Sequence, residues 1–380
     1  MLSMMDTFAI NGVRVGEKII AHNVTMTIEE KVPGSIKTLV PRSDRDCIDS
    51  LIIIGTIDAR DFKYTVDSLP SLTRLDLSGA VIVSYSGTEG TIFEQRTYPA
   101  NEIPQGGCSN LTSIVFPPSI TSIGENAFYR LTSINIPSSV NNIGAYAFGD
   151  CQNLTSINIP SGVKSIKNGT FYSCRGLTSI DIPSSVTSID SSAFQESGLT
   201  SIKIPNSVNS IGYLTFYGCF SLTSVTIPAS VKSIGSSAFL GDLLTSIYAL
   251  PVKPVPIDTY VFGGVNLSLC TLYVPAGSKS YYQAADYWKD FANIVEINSK
   301  APAIDSASIS LYPTTVTDNF SVIGLEGTSL IKLIDVNGRV MLSTNVTKSG
   351  NISVGTLPKG LYMVKIITNN GTIERKLLKN

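Results

Sequence analysis

The chain has one histidine and one tryptophan in 380 residues, and only 15% of its residues are charged, against about 25% in ordinary globular proteins. A single histidine, His22, excludes any site that needs two imidazoles. Its N-terminal stretch carries no companion motif, so it reads as a surface residue. No G-x-S-x-G, H-E-x-x-H or Gly-rich phosphate loop is present, which removes common signatures of hydrolases, zinc proteases and nucleotide enzymes. The formal net charge is −1 and there are no basic runs, so the chain lacks an electrostatic footprint for nucleic acid. No apolar stretch approaches the roughly 18 residues of a transmembrane segment. The densest apolar run, residues 51–54, reads as a buried strand. The carboxylate pairs Glu29/Glu30 and Asp44/Asp46 sit in polar, turn-like stretches and read as solvated surface. No catalytic residue, metal or cofactor is therefore expected.

What the chain does have is self-similarity. LTSIxIP and its close variants start at Leu111, Leu131, Leu154, Leu177, Leu199, Leu222 and Leu244, with spacings of 20, 23, 23, 22, 23 and 22 residues. A period of this size marks a solenoid, in which each coil buries its apolar face only against its neighbours. In the coil that starts at Leu154, the pattern points Leu154, Ile157 and Ile159 inward and Thr155, Ser156 and Asn158 outward. Proline then ends the strand. Val163 and Ile166 form a second apolar group in an extended segment, and Phe171 enters the core. That aromatic recurs as Phe128, Phe148, Phe194, Phe216, Phe239 and Phe262. Ser, Thr, Ile, Val and Asn prevail, so helical propensity is poor. The expected fold is mainly β: a leucine-rich repeat solenoid with short helical turns, followed by a small C-terminal β-sandwich.

Six cysteines form an even set that invites disulfides. Cys108, Cys151, Cys174 and Cys219, however, each lie three residues before a repeat leucine, a register position that asks for a small buried group. Neighbouring coils lie about 4.8 Å apart, so a Cys151–Cys174 bridge is geometrically open; free thiols are the favoured reading. No C-x-x-C pair exists to hold zinc.

The flanks read as caps. Residues 1–50 form an N-terminal segment and cap, with a strand over 24–28, and 51–298 form the repeat domain. A short helix is expected over 58–69, and 84–105 is expected to project as a loop. Residues 281–291 (YYQAADYWKDF) predict a capping helix, the alternative being an aromatic ligand-stacking patch. Residues 299–308 form a linker, and 309–380 read as short strands separated by turn signals such as Asn337-Gly338 and Asn370-Gly371, hence the sandwich.

These residues carry a resemblance. The unit LTSIxIPxSVxSIGxxAFxxC resembles the BspA-like (Treponema pallidum-type) leucine-rich repeats of bacterial surface proteins, and GTIDARDF, LDLSGA and YVPAGSKSYYQAADYWKDF look like the ends of such arrays in Bacteroidota. Leu311-Tyr312-Pro313, Asp335-Val336-Asn337-Gly338-Arg339, Leu357-Pro358-Lys359-Gly360-Leu361-Tyr362 and a basic close resemble the sorting domain of type IX secretion substrates. The usual Tyr-Pro-Asn-Pro opening appears here as Tyr-Pro-Thr-Thr. The resemblance implies a secreted or cell-surface protein that engages the secretion machinery through 309–380. Residues 1–21 show no signal peptide; the start is read as truncated or misassigned, the alternative being a cytoplasmic chain.

The expected function is non-enzymatic adhesion, with host or microbial surface and matrix proteins as partners. The candidate ligand-binding residues are the variable outward column Val115, Asn135, Asn158, Asp181, Lys203, Thr226 and Tyr248, beside invariant Thr and Ser columns. The bland alternative is that this column drifted freely on an exposed β surface. A second functional class is a carbohydrate-binding accessory protein that uses Tyr248, Tyr260 and the Tyr281/Tyr282/Trp288 cluster to bind glycans.

Overall fold

The structure, a computed structural model, describes residues 24–297 and most of 310–380, namely all but 313–314, 324, 326–327, 336–338, 348–349 and 369–370. Ahead of residue 24 only the strands Ile10–Asn11, Arg14–Val15 and Lys18–Ile19 are described. His22, the 299–308 linker and the Asn337-Gly338 turn lie outside the described residues. The chain divides into two compact units, Met1–Glu296 and Ile297–Asn380.

The first unit opens on a sheet that is parallel apart from its first strand, Ile10–Asn11, which runs antiparallel to Val24–Glu30. Val24–Glu30 pairs with Ile48–Ile57, which pairs with Arg74–Ile82, which pairs with Ser113–Val115 of the first repeat coil. Alternation along Val24–Glu30 buries Val24, Met26 and Ile28, the period-2 pattern of a strand with one covered face. The helix Ala59–Ser68 crosses between the second and third strands. It starts where the Asp58 carboxylate accepts the Arg60 N–H and the Asp61 carboxylate accepts the Asp58 N–H, a reciprocal capping box.

Three sets of contacts join coils along the stack. The outer strands pair in parallel, as Ser201–Lys203 with Ser224–Ile227 and that strand with Ser246–Ala249. Short parallel pairs make the second set, through Ile103, Ile123 and Ile143 in the early coils and through Ile166, Ile189, Ile211 and Ile234 in the later ones, all buried. The third runs through the phenylalanine turn, where the Phe148, Phe171, Phe194 and Phe216 N–H groups donate to the next coil at 2.8–3.0 Å. Two residues on either side of those phenylalanines the chain takes positive φ, as at Tyr146, Ser192 and Leu214 before and Asp150, Ser173 and Glu196 after. These left-handed residues aim their own N–H groups along the stack, Tyr146 to Asn168 and Asp150 to Tyr172 among them. This is why the turn alternates hand within a few residues.

The seven phenylalanines stack face to face at centroid spacings of 5.2–5.6 Å. Phe116 closes one end edge-on, and Trp288 and Phe291 close the other.

Four expectations need correction. Residues 84–105 form a hairpin, Tyr85–Gly87 against Arg96–Tyr98, and then return to the stack at Glu102–Ile103; tyrosine stacking across the hairpin and Arg60 over the Tyr85 ring hold it down. The 281–291 segment is a helix Lys279–Ala284 and a separate 3-10 turn Trp288–Asp290, because Tyr287 between them adopts φ 64°. The 51–54 run is covered on one face only: Leu51 and Ile53 are buried while Ile54 is 46% exposed. Glu30 and Asp44 are buried rather than solvated, because Ser35 and Ser43 hydroxyls donate to their carboxylates. No two of the six cysteines are bridged, and five of them are buried.

The second unit is two facing β-sheets. One carries Ser310–Tyr312, Asn319–Ile323 and Gly350–Ser353; the other runs Thr315–Val316, Gly371–Lys379, Gly360–Thr368, Thr328–Ile334 and Val340–Thr347. Phe320, Val322, Ile331, Leu333, Val364 and Leu377 fill the space between them.

Candidate functional site

The outer strand face takes its form from the repeat register. Inward Leu and Ile leave Thr, Ser and the variable residue to face out. Four of the seven repeat threonine hydroxyls are already engaged: Thr112, Thr132, Thr200 and Thr245 each donate to the threonine carbonyl of the preceding coil. The expected hydroxyl ladder is thus half internal, and the variable column carries the contrast in chemistry.

Within that column the structure pairs Val115 with Asp76, Asn158 with Asp181, and Lys203, Thr226 and Tyr248 in succession. Asn135 is exposed but lies in a coil whose outer segment makes no regular strand. Val115, Asn158, Asp181 and Lys203 are exposed, and Thr226 and Tyr248 are half-buried. Two members of the column escaped the sequence reading. Asp76 precedes the seven repeats in LTRLDL, and Tyr273 follows them in TLYVP. Both occupy the outward position of a strand that fits the pattern, and that spacing was the available signal. Tyr273 pairs with Tyr248 and their rings stack at 4.6 Å, 10° from parallel. Burial, and then the neighbouring Tyr273 hydroxyl, raise the Tyr248 pKa.

The aromatic ligand-stacking patch, the alternative reading of residues 281–291, does not form a surface at Tyr282 and Trp288. Tyr282 and Trp288 are 0% and 1% exposed. Their polar atoms are spent on the proline-rich coil, Tyr282 Oη donating to Pro251 O and Trp288 Nε1 to Val255 O, both at 2.7 Å. They cap the stack, and only Tyr281 and Tyr260 remain exposed.

The edge made by the phenylalanine turns changes character along the stack. Its early coils carry Glu125, Arg130, Asp150, Arg175 and Glu196, with Arg175 paired to Glu196 at 2.8 Å. From residue 212 onward the turn segments 212–221, 235–243 and 259–269 hold one charged residue, Asp242, and it is buried. Tyr213, Phe220, Leu243, Tyr260 and Leu269 stand 52–74% exposed there, an uncharged, partly aromatic strip. Among the described residues no group of three or more His, Cys, Asp or Glu side chains could hold a metal ion, and no helix is long and apolar enough to cross a membrane.

Comparison with known proteins fits this geometry. Six copies of the BspA type leucine rich repeat region match residues 105–220 and 210–310, more than half of the chain. The secretion system C-terminal sorting domain matches residues 310–380. Similar solved structures include a leucine rich cell surface protein from Faecalibacterium prausnitzii, 19% identical over 75% of this chain and 97% of that one at a TM-score of 0.34. A T. pallidum leucine rich repeat protein is 20% identical over 57% and 81%, at 0.33. A Bacteroides ovatus leucine-rich repeat protein is 17% identical over 78% and 99%, at 0.27. The fold rests on the pairing register above and not on these superpositions. No curated protein matches at a significant level. The sorting domain makes the protein a secreted or cell-surface one, and the chain belongs to the BspA type leucine-rich repeat family.

Proposed function

We propose that this protein is a non-enzymatic adhesion module that holds host or microbial surface and matrix proteins on its solenoid. The observation that carries the reading is the variable outward column. It is register-locked and spans Lys203, Thr226, Tyr248 and Tyr273 without a break. A rigid column with changing side chains beside an invariant Ser column gives one partner a graded set of contacts across a flat surface. The uncharged strip at Phe220 and Leu243 supports the same reading, since exposed apolar patches depleted of charge mark protein-binding surfaces. A second reading, binding of neutral glycans, is favoured by the stacked Tyr248–Tyr273 pair alone.

The test is capture of purified matrix proteins by the full chain and by two double variants, Asp181→Ala/Lys203→Ala and Phe220→Ser/Leu243→Ser. At least a tenfold loss of affinity in either variant is expected. Undiminished binding by both would place the contacts off the solenoid faces. Binding to a glycan array that Tyr248→Thr abolishes would favour the second reading.

A further inference from the structure

We propose that the C-terminal unit is a β-sandwich with one incomplete side, and that it is completed by an extended strand supplied by the secretion machinery. This rests on the sorting-domain assignment of residues 310–380.

The incomplete side is the edge strand Val340–Thr347. Among the described residues it pairs on one side only, with Thr328–Ile334, so its other side presents alternate N–H and C=O groups along eight residues. About half of its residues, roughly four, offer both groups to an incoming strand. Folded proteins ordinarily blunt such an edge with charge, proline or shortness. The other edges of this unit are short or charged: Thr315–Val316 has two residues, Ser310–Tyr312 three and Gly350–Ser353 four, and the part of Gly371–Lys379 that Thr315–Val316 leaves uncovered carries Glu374, Arg375 and Lys376. Val340–Thr347, with the sequence VMLSTNVT, has no charge and no proline. Charges stand on the other strands of that sheet, as Lys332, Lys365, Glu374, Arg375 and Lys376, and at Arg339, immediately ahead of the edge strand, where it pairs with Asp335.

The core is also uncovered at this edge. Leu342 and Thr344 are half-buried, whereas their cross-strand partners Leu333 and Ile331 are fully buried. Between this strand and Gly350–Ser353 of the opposite sheet lies an open cavity of 340 Å³. Leu342, Thr344 and Val346 line one wall, and Asn351, Ile352 and Ser353 the other. Among the described residues no charged side chain lines it. A strand added to the edge alternates its side chains, so every second one would drop into this gap and the rest would face out. Main-chain pairing supplies the affinity and the cavity the selectivity, as in other cases of strand addition. The occupant this fits is an uncharged extended segment with apolar residues at alternate positions. Because the tail is a sorting domain, that segment belongs to the machinery that reads it.

Thr344→Lys tests this, because it puts a long charged side chain across the gap from a half-buried position. Asn351→Lys, exposed on the opposite lip, serves if the first variant lowers the melting temperature of the purified protein. The full-length chain is expressed in the source bacterium as wild type, as each variant, and with 310–380 deleted. The protein outside the cells is then compared with that retained in the periplasm. The expected result is at least a tenfold drop in export for a folded lysine variant, with the protein accumulating in the periplasm as the deletion does. Normal export of both folded variants while the deletion is blocked overturns strand addition and leaves the sorting role standing. Normal export of the deletion overturns the sorting role itself. If sedimentation shows wild-type dimers that Thr344→Lys dissociates while export is unchanged, a second copy closes the edge and the machinery does not.

Discussion

Asp242 occupies in its coil the place that Cys151, Cys174 and Cys219 hold in theirs, three residues after the stacked phenylalanine. Two of those thiols donate to the phenylalanine carbonyl of the preceding coil, Cys174 to Phe148 and Cys219 to Phe194, each at 3.1 Å. The position therefore suits a small side chain with a proton to give. Asp242 is 1% exposed; its Oδ1 accepts the Cys219 N–H at 2.9 Å and its Oδ2 has no partner among the described residues. Burying an unpaired carboxylate costs far more than burying a carboxylic acid, and burial pushes this group up to about 8. The titratable group facing it is Cys219, whose thiol burial first, and then Asp242, push up to about 12. An unfolded aspartate titrates near 3.9, so between about pH 4 and pH 8 the folded chain keeps a proton that the unfolded chain has released. The stabilisation is complete below about pH 4 and is lost as pH rises through that window, by at most about 1.4 kcal/mol per unit. Asp242→Asn keeps the acceptor for Cys219 and removes the titration. Its urea midpoint is expected to fall less than the wild type's between about pH 5 and pH 8 and to lie above it at the upper end. Parallel curves for the two proteins would refute a neutral Asp242.

The phenylalanine column is the element on which the coils depend. Phe194 is 0% exposed and stacks on Phe171 at 5.4 Å and Phe216 at 5.5 Å. Phe194→Ala removes a ring from two stacks and leaves a cavity that the flanking coils cannot close without breaking three intercoil ladders. The expected cost is about 3–5 kcal/mol, read from the urea midpoint. Phe194→Leu, which keeps most of the volume, should cost much less. This column was legible in the sequence because burial follows period, and so were the inward Leu and Ile positions. What was not legible depends on the sign of φ or on partners distant in sequence. The left-handed residues flanking each phenylalanine are Gly, Asn, Ser or Asp in several coils but Tyr146 and Leu214 in others, so composition conceals the rule. Tyr287 breaks the expected capping helix in the same way. Asp44 and Glu30 looked solvated because their Ser partners become meaningful only once the backbone turns bring hydroxyl and carboxylate together. At the candidate site the columns were readable from spacing. That four of the threonine hydroxyls are consumed by the preceding coil was not, since it needs the stagger between strands.

At the scale of the molecule, the solenoid is a chain of nearest-neighbour interactions, and its stability is close to a sum over coils and interfaces. Residues 177–198 make up one whole coil, from Leu177 to the residue before Leu199. Deleting them joins Gly176 to Leu199 and leaves each ladder a register-equivalent partner. Ser165–Ile166 now meets Ser210–Ile211 where it met Ser188–Ile189, Phe171 meets Phe216, and Lys203 succeeds Asn158 in the outward column. The deletion removes the packing of one coil and the surface ion pair Arg175–Glu196, whose side chains are 63% and 29% exposed; such pairs contribute about 0–1 kcal/mol. Deleting 177–187 alone keeps Ile189 and Phe194 but moves them half a coil out of register, so apolar side chains meet the polar columns of their neighbours. The whole-coil deletion is expected to be soluble, with an unchanged far-UV circular dichroism shape and a urea midpoint slightly below the wild type's. The half-coil deletion is expected to aggregate or to lose the unfolding transition. If the whole-coil deletion fails as badly as the half-coil one, the coils are not interchangeable units, and stability must come from pairings particular to each interface. Success would show that the order of residues in the outward column can be rearranged without disturbing the core, which is the property a binding surface built on repeats requires.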